Sequence, residues 1–444
     1  MPPIPEQVKP DRELIAEAEV VIIGGGIIGV SAALKLAEGG VPVALFEKGE
    51  IAAEQSSRNW GWCRQQGRDP REMTLIIESL RMWREMSHRI GKEVGYRECG
   101  IISLAQDEKE LDKLTEWTEI AREHTVPHDL MTANSVKQFL PATDRNWVGG
   151  LYTASDGRAE PTLAAPAMIE AARNHGAKVF TNTAVRSIET NAGRVSGVVT
   201  ERGLTRCNAV IVAAGAWTSL FMRNIRIKVP QLKVRSSVFR TAPLWGGPDI
   251  CIYSSGFTVR KRLDGGYTIA LGGRTRIPYD LTPDSFRYLR DFLRLAWMSR
   301  RSLRPRISDR LTIESKYPSC WTSTQTTVFE GERILNPAPI DRLLNQAKKN
   351  ISEAFPVFKE INIIERWAGM IDVTPDAIPV ISEVEALPGC VIATGFSGHG
   401  FGIGPAAGEL AAQMAMNWNP LLDPQSFRLS RFSDGTEIEP IAGI

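Results

Sequence analysis

The sequence predicts an α/β fold: a Rossmann-like dinucleotide-binding domain with a second α+β domain built on an antiparallel sheet. Three observations predict it. An apolar, β-branched run at 20–23 leads straight into G-x-G-x-x-G at Gly24, Gly26 and Gly29. Two more apolar runs end in glycine much later, Ala209 to Gly215 and Val391 to Gly395. Between these, 229–273 carries short strand-like runs. A nicotinamide-binding fold is usually completed in one continuous stretch, whereas this one is left and re-entered twice.

The first strand is followed by a tight turn at Gly24, close backbone approach at Gly26 and helix–strand packing at Gly29. Residues 27–37 are small or helix-forming, so their first free N–H groups and the helix dipole suit a phosphate. A second strand, 43–46, ends at Glu47, 18 residues after Gly29, where a carboxylate accepts hydrogen bonds from ribose hydroxyls and disfavours a 2′-phosphate. A polar loop, Glu54 to Arg64, then leaves the nucleotide fold. Helices are expected at 71–90, 108–124 and 161–175, with strands at 178–181, 193–201 and 209–213. The second domain has expected strands at 234–239, 257–260 and 267–271. The segment 286–310 breaks the pattern. It holds eight arginines among Phe286, Leu289, Phe292, Leu293, Leu295 and Trp297, and its first half can form a basic amphipathic helix. That helix either packs as a solvated element or meets an anionic membrane surface. Strands at 361–367 and 389–394 and a closing helix at 404–416 complete the chain.

A length of 444 residues calls for two domains rather than one small core. The expected division is a discontinuous nucleotide domain (1–60, 150–228 and 361–444) and a substrate domain (61–149 and 229–360) with an insertion at about 285–347. A net charge of +2 gives no argument for nucleic acid. The six cysteines are scattered without a C-x-x-C pair, so neither a metal site nor a disulfide framework is expected. Reduced thiols and the lack of an apolar leader or a bilayer-length run point to a cytoplasmic protein, with a peripheral place on the cell membrane left open.

Trp367-Ala368-Gly369, Thr374-Pro375-Asp376, Pro379-Val380-Ile381, the Gly395–Gly404 segment and Asp156-Gly157-Arg158-Ala159-Glu160-Pro161 resemble the D-amino-acid oxidase and glycine oxidase superfamily. These are flavoproteins of the glutathione reductase type. Within it, the stretches 49–58, 83–86, 219–224 and 355–360 are most similar to the bacterial L-amino acid deaminases, and the similarity runs from about 20 to 432, insertion included. The resemblance implies FAD and an enzyme acting on a C–N bond. Its departures are specific. The deaminases' N-terminal apolar anchor has no counterpart here. Glycine oxidase-type enzymes carry an arginine where this chain has Met370-Ile371-Asp372-Val373. The position of the flavin-linking cysteine of monomeric sarcosine oxidases corresponds to Gly369, and no lysine stands in 267–272. Non-covalent FAD is therefore expected, with oxygen or a quinone as electron acceptor.

The FAD contacts expected on these grounds begin with Gly24, Gly26, Ile27, Ile28, Gly29, Glu47 and Lys48. Ser56, Ser57, Arg58, Val185, Ala214, Gly215 and Trp217 follow, then Gly369. Gly398, His399, Gly400, Phe401 and Gly402 open the last helix, where bare N–H groups and the dipole would face flavin O2. Flavin supplies the reactivity, so the protein needs chiefly a cation for the substrate carboxylate and a positive field near the reduced ring. Arg260 matches the deaminases' carboxylate-binding arginine and is the first choice. Arg64 is the second, matching an arginine of sarcosine oxidase-like enzymes. Arginine suits the task because its planar fork binds a carboxylate through two hydrogen bonds. Asp372 is expected to meet either the substrate ammonium or a nearby arginine such as Arg366, and Trp60 and Trp62 to wall the pocket. The expected reaction is oxidative deamination of an amino acid or other carboxylated amine. Oxidation of a secondary amine (sarcosine, proline or opine type) and a flavin-holding role in a larger dehydrogenase are the alternatives.

Overall fold

The computed structural model describes residues 2–273 and 277–440. The outer limits of the expected domain division, 1 and 441–444, lie outside the described residues.

Three separate stretches of chain build a six-stranded sheet. Its order is Val380–Glu383, Cys390–Thr394, Ala209–Val212, Val20–Ile23, Val43–Phe46 and Lys178–Phe180. All pairs are parallel except the Val380–Glu383/Cys390–Thr394 edge. The central strands are buried on both faces, which explains their unbroken apolar runs. Helix Ile27–Glu38 packs against the closing helix Gly400–Ala415 because small residues meet at the crossing: a Cβ on Gly408 would lie 2.5 Å from the Ser31 Cβ. The closing helix starts four residues earlier than the sequence suggests. Helix Met73–Ile90 packs on that same helix, with the Trp83 indole donating to the Gly402 carbonyl at 2.9 Å.

An eight-stranded sheet forms the second layer. Its order is Ile363–Val373, Leu232–Thr241, Tyr267–Ala270, Thr258–Lys261, Cys251–Ser254, Ile101–Ala105, Gly149–Thr153 and Asp129–Thr132. Every pair is antiparallel except Cys251–Ser254 with Ile101–Ala105. Helix Asp341–Ala354 lays Leu344, Ala347 and Ile351 on its apolar face. The loop read as polar at 54–64 contains a helical turn, Gln55–Arg58, and a short strand, Trp62–Cys63, that pairs with Gly157–Arg158.

In 286–310 the expected amphipathic helix is instead two short ones, Pro283–Arg287 and Leu293–Ser299. The break has a packing cause. Tyr288 is buried between them, its hydroxyl 2.9 Å from the Ser219 Oγ, and Phe292 and Leu295 turn inward beside it. Phe286, Leu289, Leu293 and Trp297 remain exposed. Among the described residues no helix is long and apolar enough to cross a membrane.

Candidate active site

Both sheets open onto one cavity of about 780 Å³. One end is walled largely by backbone. At Gly24 (φ +112°) a Cβ would meet the Ala213 carbonyl oxygen at 2.4 Å, so only glycine allows the strand-to-helix turn there. The Ile27 N–H at the start of the first helix donates to Ser56 Oγ at 2.9 Å. Glu47 lies at the end of its strand with Oε2 accepting from the Gly25 N–H and Oε1 from the Gly49 N–H, each at 2.7 Å. Burial pushes its carboxyl above the usual range. Gly398, His399 and Gly400 bring the N-terminus of the closing helix to the same cavity.

Polar side chains wall the other end. Arg64 follows the strand Trp62–Cys63, its guanidinium 6.0 Å from the Trp62 ring and hydrogen-bonded to the Gln66 carbonyl. Burial lowers it below the ordinary arginine value, with Asp156 partly offsetting. Arg68 stands one turn on, its Nε donating to the Arg64 carbonyl at 3.2 Å. Tyr253, Trp60, Ser103 and Gln66 share this wall. His399 Nδ1 lies 3.2 Å from a Glu72 oxygen without hydrogen-bond geometry, and burial, then the charge of Arg68, lowers its pKa.

A family model, DAO: FAD dependent oxidoreductase, matches residues 19–414. The chain belongs to this family. Among solved structures, the L-amino acid deaminase of Proteus myxofaciens in complex with anthranilate superposes with a TM-score of 0.92 at 32% identity, covering 96% of each chain. The Proteus vulgaris L-amino acid deaminase gives 0.91 at 30%, covering 96% of this chain and 100% of its own. The 4-methylaminobutanoate oxidase (formaldehyde-forming) of Paenarthrobacter nicotinovorans is 24% identical over 95% of this chain but only 46% of its own length. The chain thus spans less than half of that curated relative.

The backbone end of this DAO-family cavity fits FAD, with glycine turns, a helix N-terminus and the Glu47 carboxylate on one wall. Of the residues expected to hold the cofactor, Gly24, Gly26, Ile27, Ile28, Glu47, Lys48, Ser56, Arg58 and Val185 line it. So do Ala214, Gly215, Trp217, Gly369, Gly398, His399, Gly400, Phe401 and Gly402. Gly29 and Ser57 sit behind the wall. A Cβ on Gly29 would lie 2.0 Å from the Gly24 carbonyl oxygen, and Ser57 is buried beside the Glu54 carbonyl. Lys48 and Arg58 line the cavity with their head groups engaged by protein. The Lys48 ammonium binds Glu54 and the Glu332 and Arg333 carbonyls, and the Arg58 guanidinium binds the Leu335 and Ala368 carbonyls. No cysteine stands on the wall among the described residues.

The expected catalytic residues part company. Arg64 and Asp372 line the cavity. Arg260 does not. It is 1% exposed, and its guanidinium is paired with Glu160 at 2.7 Å and tucked beneath Gly61. The reason is its register: Arg260 points from its strand toward the Asp156–Pro161 segment, which supplies a buried carboxylate. Asp372 pairs with no arginine among the described residues. Its Oδ2 accepts from the Gly395 N–H, Gln231 and Thr394, tying the two sheets together, while Arg366 pairs with Asp341. Sequence reasoning missed Arg68, Glu72 and Tyr253. The i, i+4 spacing of Arg64 and Arg68 was the one available signal.

Proposed function

We propose that the chain oxidises a carboxylated amine, an amino acid in the first instance, to an imine that water hydrolyses to a keto acid and ammonia. The observation that carries this reading is the single cavity joining a backbone-lined FAD end to an end presenting Arg64 and Tyr253. The 32% identity to an L-amino acid deaminase over 96% of each chain supports it. FAD, held without a covalent link, supplies the two-electron acceptor for hydrogen leaving the α-carbon.

Arg64 holds the substrate carboxylate. Its guanidinium is desolvated, forms no ion pair among the described residues, and faces the cavity where Arg260 does not. Trp60 and Trp62, in edge contact at 5.2 Å, shield that end from water and restrict the poses of the α-carbon. The N-terminus of Gly400–Ala415 adds positive potential where reduction builds negative charge. Oxygen or a quinone takes the electrons onward. The exposed Phe286, Leu289, Leu293 and Trp297, beside Arg290 and Arg301, support a peripheral contact with an anionic membrane.

Anaerobic mixing of the FAD-loaded protein with both enantiomers of the amino acids tests the reading, with bleaching of the flavin absorbance as the signal. Arg64→Met is expected to raise the substrate concentration for half-bleaching about a hundredfold, the value of a charge-assisted, two-bond carboxylate contact. No bleaching by any amino acid or N-alkyl amino acid overturns the assignment.

A further inference from the structure

Carboxylate binding by Arg64 uses one cation, and the cavity holds more. Arg68 is 4% exposed and lines the cavity, yet its Nη1 has no hydrogen-bond partner. Among the described residues, the one hydrogen bond of its side chain is the Nε contact to the Arg64 carbonyl. No carboxylate among the described residues pairs with Arg64 or Arg68.

Two buried acids, Asp156 and Glu72, share the neighbourhood and raise Arg68 through space without pairing with it. Asp156 accepts from the Gln65 and Gln66 N–H groups at 2.6 and 3.1 Å, and from the Gln65 side chain at 3.3 Å. Glu72 is fully buried on the far side of His399 and does not line the cavity. It offsets part of the local charge through space, but neither of its oxygens forms a hydrogen bond. Burial, followed by the like charge of Arg64, lowers Arg68 below the ordinary guanidinium value. Helix Glu108–Glu123 lies over this part of the cavity. Its Lys113 stands on the wall, exposed, beside Leu114, Trp117 and Ile120, and Trp117 fixes the loop by donating to the Arg68 carbonyl at 3.1 Å. One arm of the cavity wall thus carries Arg64, Arg68 with its Nη1 group buried and unpartnered, exposed Lys113, and the apolar Leu114, Trp117 and Ile120. An unpaired buried guanidinium is costly, and an acceptor in the ligand removes the cost.

We propose that this arm binds a second carboxylate of the substrate, so that the preferred amine is dicarboxylic: an acidic amino acid, or an amine carrying a carboxylate on each of two carbon arms. Arg64 takes the carboxylate next to the reacting carbon, and Arg68, with Lys113 at the edge, takes the other. The idea deepens the carboxylated-amine reading and rests on it.

Binding of unreactive acids separates the two. FAD-loaded protein is titrated with butyrate and with glutarate at constant ionic strength, read by the perturbation of the flavin spectrum. Glutarate is expected to bind at least about tenfold more tightly, the equivalent of one added charge-assisted contact. Equal affinity overturns the proposal. In Arg68→Met the glutarate-to-butyrate ratio is expected to fall to within about twofold of one, and Arg68→Lys to restore part of it. A ratio unmoved by Arg68→Met also overturns it. If Arg68→Met does not fold, Lys113→Met and the wild-type comparison decide. Bleaching rates with glutamate, aspartate and iminodiacetate then distinguish the two dicarboxylic forms. Bleaching by monocarboxylic amino acids with no dicarboxylate preference defeats this inference alone. Absence of bleaching by any amine, with glutarate still preferred, defeats the oxidation reading alone.

Discussion

On one part of the cavity wall Gly24, Gly26, Gly398 and Gly400 present bare backbone, and on another Arg64 and Arg68 present charged side chains. The difference is one of tolerance. A backbone cradle fails sterically: at Gly29 an added Cβ would stand 2.0 Å from the Gly24 carbonyl oxygen, a contact no rotamer can relieve. A charged wall responds electrostatically: Arg64 lowers Arg68 through like charge, so losing either cation relieves the other.

The sharpest way to break this contrast is Gly29→Ala. The first helix has to move off the turn, and the purified variant is expected to carry little or no flavin, measured as flavin absorbance against protein. Gly331→Ala is the control, since nothing lies within 4 Å of where its added methyl would stand and its φ is not positive. A yellow, stoichiometric Gly29→Ala protein would remove the steric account.

Next in size is the Arg260–Glu160 pair. Arg260→Met leaves the buried Glu160 carboxylate without its ion-pair partner, with the Leu263 N–H and the through-space charge of Arg262 remaining, and the expected loss is about 3–5 kcal/mol in urea unfolding. Arg260→Met/Glu160→Met is expected to recover much of that, the coupling expected of a pair in direct contact. If Arg260→Met instead kept its stability and lost affinity for butyrate, the carboxylate clamp would lie on Arg260 and the division between structural and substrate-facing arginines would collapse.

The Arg260–Glu160 pair also shows how far the sequence could be read. The nucleotide half was legible because its rules are local: strand, glycine turn, helix and acid occupy fixed offsets over 28 residues, from Val20 to Glu47. Which carboxylate neutralises Arg260 is not local. Glu160 is 100 positions away, and β alternation says only that Arg260 and Thr258 share a face. Lys48 follows Glu47 and lines the cavity, but that its ammonium is bound by carbonyls 284 and 285 positions on, in the insertion, is equally non-local. The helical break at Tyr288 was equally hidden, because a buried tyrosine on Ser219 outweighs a good amphipathic period.

The smallest effect concerns the buried acid behind the charged wall. Burial pushes the Asp156 carboxyl up to about 6 from its ordinary 3.8, although three hydrogen bonds from Gln65 and Gln66 oppose the shift. A carboxyl raised in the folded state binds protons more tightly there than in the unfolded chain. Its favourable share of stability is therefore complete below about 3.8 and is lost as pH rises through about 6. At 1.36 kcal/mol for each pH unit, the loss across that window is about 3 kcal/mol. In Asp156→Asn this slope is expected to vanish, with an overall offset because one carboxamide N–H₂ group now faces a backbone donor. Urea midpoints of both proteins between pH 4 and 7 give the difference curve. A flat difference would mean that the hydrogen bonds from the 65–66 loop hold Asp156 ionised, which would make the charge around Arg64 and Arg68 closer to balanced than the cavity geometry indicates.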